Sequence, residues 1–133
     1  MIAIGTGLAA SPASDAQMPI ITDDLIILPN GEVLTYTGTT TGRATAYCLR
    51  GTTATGTSAQ EGVVAVDPRF IPFGTRMFII SNDGSYVYGI AAAEDAGDDN
   101  IKGNRIDLWF PTKWECTQFG YRECTIYFLG SDN

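Results

Sequence analysis

The sequence predicts an all-β fold, a compact barrel of six or seven short strands with one short helix near the C-terminus. Three observations predict it. The 133 residues, 44% of them hydrophobic, suit a single globular unit with a core of its own. From Glu32 onward the apolar runs are short and the turn residues dense, the pattern of strands joined by tight connections. A single segment, just after Pro111, carries start and stop signals for a helix.

Taken in chain order, residues 1 to about 30 read as an N-terminal arm or linker, and 31–133 as the folded domain. Residues 1–42 hold four acids (Asp15, Asp23, Asp24 and Glu32) and no base. Within them 1–10 is a short apolar run, and 9–14 are small residues that look like an export signal's cleavage region without its positive start. Segments 33–37 and 43–48 are the first candidate strands, with the Thr- and Gly-rich pieces 37–42 and 51–58 read as loops and strand ends. Strands at 63–66, 75–80, 86–94, 105–110 and 123–129 follow. Asn82-Asp83-Gly84-Ser85 forms a hairpin turn between two of them, while Asp67-Pro68 and Ile71-Pro72-Phe73-Gly74 mark bends that no helix tolerates. Thr112 is placed to cap a helix over 114–119, and Gly120 to end it.

Composition excludes several chemistries. Fifteen acids against eight bases give a net charge of -7, which repels phosphate polymers and argues against a nucleic-acid partner. Histidine is absent, which removes Ser/His/Asp and Cys/His nucleophile systems and the usual zinc ligand sets. No apolar stretch approaches the roughly 20 residues of a membrane-spanning helix. No Gly-Lys-Ser/Thr follows the Gly-rich pieces, so neither is a phosphate loop. Cys48, Cys116 and Cys124 are too few for a disulfide framework; they read as small core residues, or as one bridge between Cys116 and Cys124.

Carboxylates are left to carry any chemistry, and they concentrate in residues 94–110. Strand alternation turns Ile106, Leu108 and Phe110 inward and Arg105, Asp107 and Trp109 outward together. A carboxyl between a cation and an indole suits a sugar, since the indole offers an apolar plane and the carboxyl a proton. The same pattern also fits an ordinary half-solvated strand. Asp95, at the end of the preceding strand, is expected close to Asp107 across the pair, where one of two neighbouring carboxyls stays protonated and serves as an acid. Asp95, Asp98 and Asp99 do not have the spacing of an EF-hand calcium loop, and the reading calls for no metal and no cofactor.

In order along the chain stand Thr45-Ala46-Tyr47-Cys48, Thr53-Ala54-Thr55-Gly56, Gly62-Val63-Val64-Ala65-Val66-Asp67-Pro68 with Ile71-Pro72-Phe73-Gly74-Thr75, Ala93-Glu94-Asp95-Ala96-Gly97, Ile101-Lys102-Gly103-Asn104-Arg105-Ile106-Asp107-Leu108, and Phe119-Gly120-Tyr121-Arg122. Together, over residues ~42–129, they resemble the motifs of the three-aspartate (3D) domain family. The resemblance identifies Asp67, Asp95 and Asp107 as the naming aspartates. It implies a small six-stranded double-psi β-barrel, related to the catalytic domain of membrane-bound lytic transglycosylase A and more remotely to expansins and some endoglucanases.

The resemblance also implies peptidoglycan glycan strands as partner, an extracytoplasmic location, and lytic transglycosylation with Asp107 as acid and then base, assisted by Asp95. Tyr47, Thr55, Lys102, Arg105, Trp109 and Asp67 are the candidates for substrate binding, Asp67 being equally readable as a turn residue whose carboxylate bonds local N–H groups. A hydrolytic glycosidase using an Asp pair and a non-catalytic, expansin-like carbohydrate-binding barrel are the alternatives. This chain departs from the family pattern after Asp95, where Ala96-Gly97-Asp98-Asp99-Asn100 is one residue longer and more acidic, so a reshaped groove rim is expected there. The hairpin near residues 82–87 is also longer than the family's.

Overall fold

A computed structural model describes residues 18–130 and, by backbone alone, the strand Ser11–Pro12. The strands are β1 (Ser11–Pro12), β2 (Ile20–Ile21), β3 (Leu25–Ile27), β4 (Val33–Tyr47), β5 (Val63–Val66), β6 (Arg76–Ser81), β7 (Tyr86–Ala96), β8 (Ile106–Trp109) and β9 (Arg122–Leu129). The helix α1 spans Lys113–Phe119. Strands β4, β8, β5, β7, β6 and β9 pair in that order, and β9 pairs back onto β4, so the sheet closes into a six-stranded barrel. Two of the pairings, β4 with β8 and β5 with β7, are parallel, and the others around the ring are antiparallel.

Closure leaves alternate residues with two different destinations. Val64, Val66, Met77, Ile79, Ile106, Leu108 and Ile126 point inward and form the barrel core with Phe110 and Phe119. Phe78, Ile80 and Val87 point the other way, yet they are buried too, because Ile26 of β3 and Leu28 just after it cover them. Each of these fully buried side chains is worth about 1.5–3 kcal/mol. β6 therefore reads as an unbroken apolar run because both of its faces are covered.

Two expectations need correction. Of the segment read as an arm or linker, residues 20–27 form a hairpin whose second strand pairs with β4, and Ile26 is fully buried. The run 1–10 and most of 9–14 lie outside the described residues. The Thr- and Gly-rich piece 37–42 is not a loop. β4 runs straight through it, with Gly38 through Gly42 in register with Phe128 through Cys124 of β9. β-Branched Thr suits that half-solvated surface, and Gly42 is required where the Asn104 carbonyl comes within 2.0 Å of where a Cβ would stand.

The helix forms as expected. Thr112 accepts a hydrogen bond from the Glu115 N–H at 3.1 Å, and Gly120, at φ 65°, closes the C-terminus by donating to the Cys116 carbonyl at 2.9 Å. The turn between β6 and β7 also forms, with the Asp83 carboxylate accepting from the Ser85 N–H and the Ser81 hydroxyl. All three cysteines are free thiols; Cys124 is buried in the barrel core, and Cys116 has Cys48 rather than Cys124 beside it.

Candidate active site

β8 lies between β4 and β5, so Asp107 stands in register with Thr45 on one side and Ala65 on the other. β5 in turn lies between β8 and β7, where Ala65 is in register with Asp95. Thr45, Asp107, Ala65 and Asp95 thus form one row across four strands, on the outer face of the barrel wall. The sequence reading placed the two acids on adjacent strands. Instead β5 intervenes and contributes only a methyl group between them, with two strand spacings, roughly 10 Å, between their backbones.

A β-bulge makes this row possible. The register of β7 against β5 slips after Val64–Ala93, so that Ala65 meets Asp95 rather than Glu94. Without the slip, Asp95 would turn to the opposite face. Asp107, Ala65 and Asp95 line a cleft of about 320 Å³ with Tyr47, Leu49, Ala96, Gly97 and Asp98.

The two carboxyls have different surroundings. Burial raises the pKa of Asp107; hydrogen bonding to Thr45 and the charge of Arg105 oppose the rise, while the negative charges of Asp98 and Asp95 add to it. The Thr45 hydroxyl donates to Asp107 Oδ1 at 2.9 Å. Asp95 is held from several sides. The Tyr47 hydroxyl donates to its Oδ2 at 3.0 Å, and the Ala54 and Ala96 N–H groups donate to its Oδ1, each at 3.0 Å. Burial, followed by the charge of Asp95, pushes the Tyr47 phenol far above its ordinary range, so it stays a donor.

Of the residues expected at the site, Asp107, Asp95 and Tyr47 come together in the cleft. Thr55 sits beside it: its hydroxyl lies 3.3 Å from that of Thr53, and its N–H donates to the Glu94 carbonyl at 3.2 Å. That loop delivers the Ala54 N–H to Asp95. Arg105 is half-buried and reaches Asp107 through its charge, while Lys102 is exposed on the preceding loop, and neither lines the cleft. Trp109 shares a side with Asp107, as alternation requires, but it is not outward in the sense expected. It is 3% exposed, its indole N–H donates to the Leu49 carbonyl at 2.8 Å, and the Arg50 guanidinium lies over its ring. The segment after β4 folds back over the indole and removes it as a sugar platform.

Asp67 does not line the cleft; it ties down the loop that frames it. Its carboxylate accepts from the Arg69 N–H at 3.1 Å, from the Arg69 guanidinium at 3.0 Å, and from the Gly103 N–H at 3.0 Å. These bonds, the Arg69 side chain first, lower its pKa to about 2. The loop so fastened carries Asp98 at the cleft rim. Gly97 donates to the Val66 carbonyl at 3.2 Å, and Ile101, 7% exposed, packs where a Gly97 Cβ would stand. Sequence reasoning missed Thr45, although its place two residues before Tyr47 puts both on one strand face. It also missed Leu49, a 76% exposed apolar side chain at the cleft mouth for which the sequence held no signal.

The model of the 3D domain family matches residues 62–130, a span that contains Asp67, Asp95 and Asp107. The chain belongs to the 3D domain family. Proteins similar to this chain include the cell wall-binding protein YocH of Bacillus subtilis, 36% identical over 95 residues, which are 65% of this chain and 31% of YocH. Another is YabE of the same organism, 36% identical over 103 residues, covering 74% of this chain and 23% of YabE. The chain thus spans less than a third of the length of either relative.

Solved structures similar to this 3D domain include a variant of the E. coli lytic transglycosylase MltA, with a TM-score of 0.50 and 20% identity over 62% of this chain and 28% of that one. The lytic transglycosylase LtgG of Burkholderia pseudomallei has a TM-score of 0.50 and 24% identity over the same shares. At such identities the likeness is one of fold, that of the barrel.

Proposed function

We propose that this 3D domain cleaves peptidoglycan glycan strands outside the cytoplasm as a lytic transglycosylase. The observation that carries the reading is the paired setting of Asp107 and Asp95 across Ala65 in one cleft, where burial raises the pKa of Asp107. A carboxyl that keeps its proton is the group a general acid needs.

Protonated Asp107 donates to the oxygen joining MurNAc to GlcNAc as that bond breaks. The resulting carboxylate then takes the proton from the MurNAc 6-hydroxyl, whose oxygen attacks the anomeric carbon and closes a 1,6-anhydro ring. The attacking group is already tethered to the sugar, so no second base and no water are needed. Asp95, held by Tyr47 and the Ala54 N–H, faces the positive charge that develops on the ring. The fold shared with two lytic transglycosylases supports the same reading.

A second reading, a barrel that holds glycan without cutting it, is favoured by the name of YocH, a cell wall-binding protein. Mass spectrometry of fragments released from purified sacculi separates the possibilities. The proposal expects 1,6-anhydro ends from the wild type and none from Asp107→Asn, with binding to sacculi retained. Reducing ends would mean hydrolysis, and equal inactivity of the two proteins with retained binding would mean the non-catalytic module.

A further inference from the structure

Cys48 immediately follows the last residue of β4, and Cys116 lies on α1, on the side packed against the barrel core. The inward face of α1 is set by Cys116 and Phe119, one turn apart, whereas Trp114 on the opposite side is 69% exposed. The end of β4 is drawn toward this helix because the Tyr47 carbonyl accepts the Phe110 N–H at 2.9 Å, two residues before the helix cap Thr112. The two thiols are consequently neighbours at the seam where α1 packs on β4, both half-buried and both free. Burial and the neighbouring Cys48 raise the Cys116 thiol to about 11. Cys124 is buried in the core on β9, at 1% exposure, rather than at this seam.

We propose that Cys48 and Cys116 are a disulfide-forming pair that closes under oxidising conditions and staples α1 to the end of β4. The bond would enclose in one covalent loop the residues from Leu49 to Asp107 that line the cleft, including Asp95, and would fasten the residue next to Tyr47. The chemistry is thiol–disulfide exchange. One protein thiol displaces half of a small disulfide such as oxidised glutathione, and the other displaces the remaining half. Two protein thiols give up two hydrogens, one Sγ–Sγ bond forms, and the small disulfide leaves as two thiols. Because the enclosed loop is long, closure should stabilise the folded state against thermal unfolding. The inference is independent of any catalysis.

The test incubates the full chain with excess oxidised glutathione, or with dithiothreitol, then unfolds, alkylates and maps peptides by mass spectrometry. After oxidation, Cys48 and Cys116 should escape alkylation as one linked peptide pair lighter by two hydrogens, while Cys124 is alkylated under both conditions. The thermal midpoint should rise by several degrees on oxidation in the wild type and in Cys124→Ser, and should not move in Cys48→Ser or Cys116→Ser. Alkylation of Cys48 and Cys116 after oxidation, a link to Cys124, a link between two chains, or glutathione left on one thiol would overturn the proposal.

Discussion

Replacing Gly97 by Ala tests how the cleft rim is built. A Cβ at this position would lie 2.2 Å from Ile101 Cβ, 2.3 Å from Cγ1 and 2.7 Å from Cγ2. The side chain it meets is 7% exposed and cannot swing into solvent without losing its own burial. Overpacking of this kind costs about 1–3 kcal/mol, and for a chain of this size about 1 kcal/mol moves the thermal midpoint by roughly 4 °C. Gly38→Ala is the matched control, since a Cβ there meets nothing within 4 Å; it should stay within about 0.5 kcal/mol of wild type. Removing the obstacle should relieve the clash, so the double variant Gly97→Ala with Ile101→Ala should cost about 1–3 kcal/mol less than the sum of its single variants. Chemical denaturation of the wild type and these four variants measures this. A neutral Gly97→Ala, or strict additivity in the double variant, would refute the packing that holds Asp98 at the cleft.

Other perturbations have equally definite directions. Asp98 raises the pKa of Asp107 and Thr45 lowers it, so with a protonated Asp107 as the active form, Asp98→Asn should shift the alkaline fall of kcat/KM to lower pH and Thr45→Val should shift it to higher pH. Tyr47→Phe removes one hydrogen bond to Asp95; kcat should fall about tenfold with KM nearly unchanged, and the unfolding midpoint should drop by a few degrees. Asp67 has its pKa lowered from 3.8 to about 2. Its contribution to stability is therefore complete above about pH 4 and is lost as pH falls toward 2, a loss that denaturation curves of Asp67→Asn should lack.

Most of the barrel was legible because short apolar runs between turn residues admit few other structures. The 63–66 strand agrees with its expected bounds, and the helix agrees to within one residue, since a short Val-rich run and Thr112/Gly120 capping are local signals. The long β4 was not legible at 37–42, because pairing with β9, a partner distant in sequence, decides that segment and Thr and Gly look like loop residues by themselves. The hairpin of β2 and β3 escaped notice for a similar reason. Its apolar residues gain their meaning from Phe78 and Ile80, which present a second apolar face.

At the site, strand alternation singled out Asp107, the end of the preceding strand singled out Asp95, and the family motif contains both. Their relation across Ala65 did not follow, because the order of β8, β5 and β7 and the bulge before Asp95 are properties of the closed sheet. Trp109 illustrates the opposite limit. Its side of the strand was readable, but the covering by Leu49 and Arg50 depends on how the chain turns after β4.

The central claim, that Asp107 holds its proton where ordinary carboxyls have lost theirs, is tested most directly by carbon-13 NMR titration of the aspartate carboxyls. Asp107→Asn assigns the resonance, and kcat/KM is followed on the same preparation as pH rises. The account predicts that Asp107 titrates above the ordinary aspartate range and that activity on glycan strands falls with the same apparent pKa. An Asp107 that titrates at or below that range, or an activity that follows some other group, would contradict it.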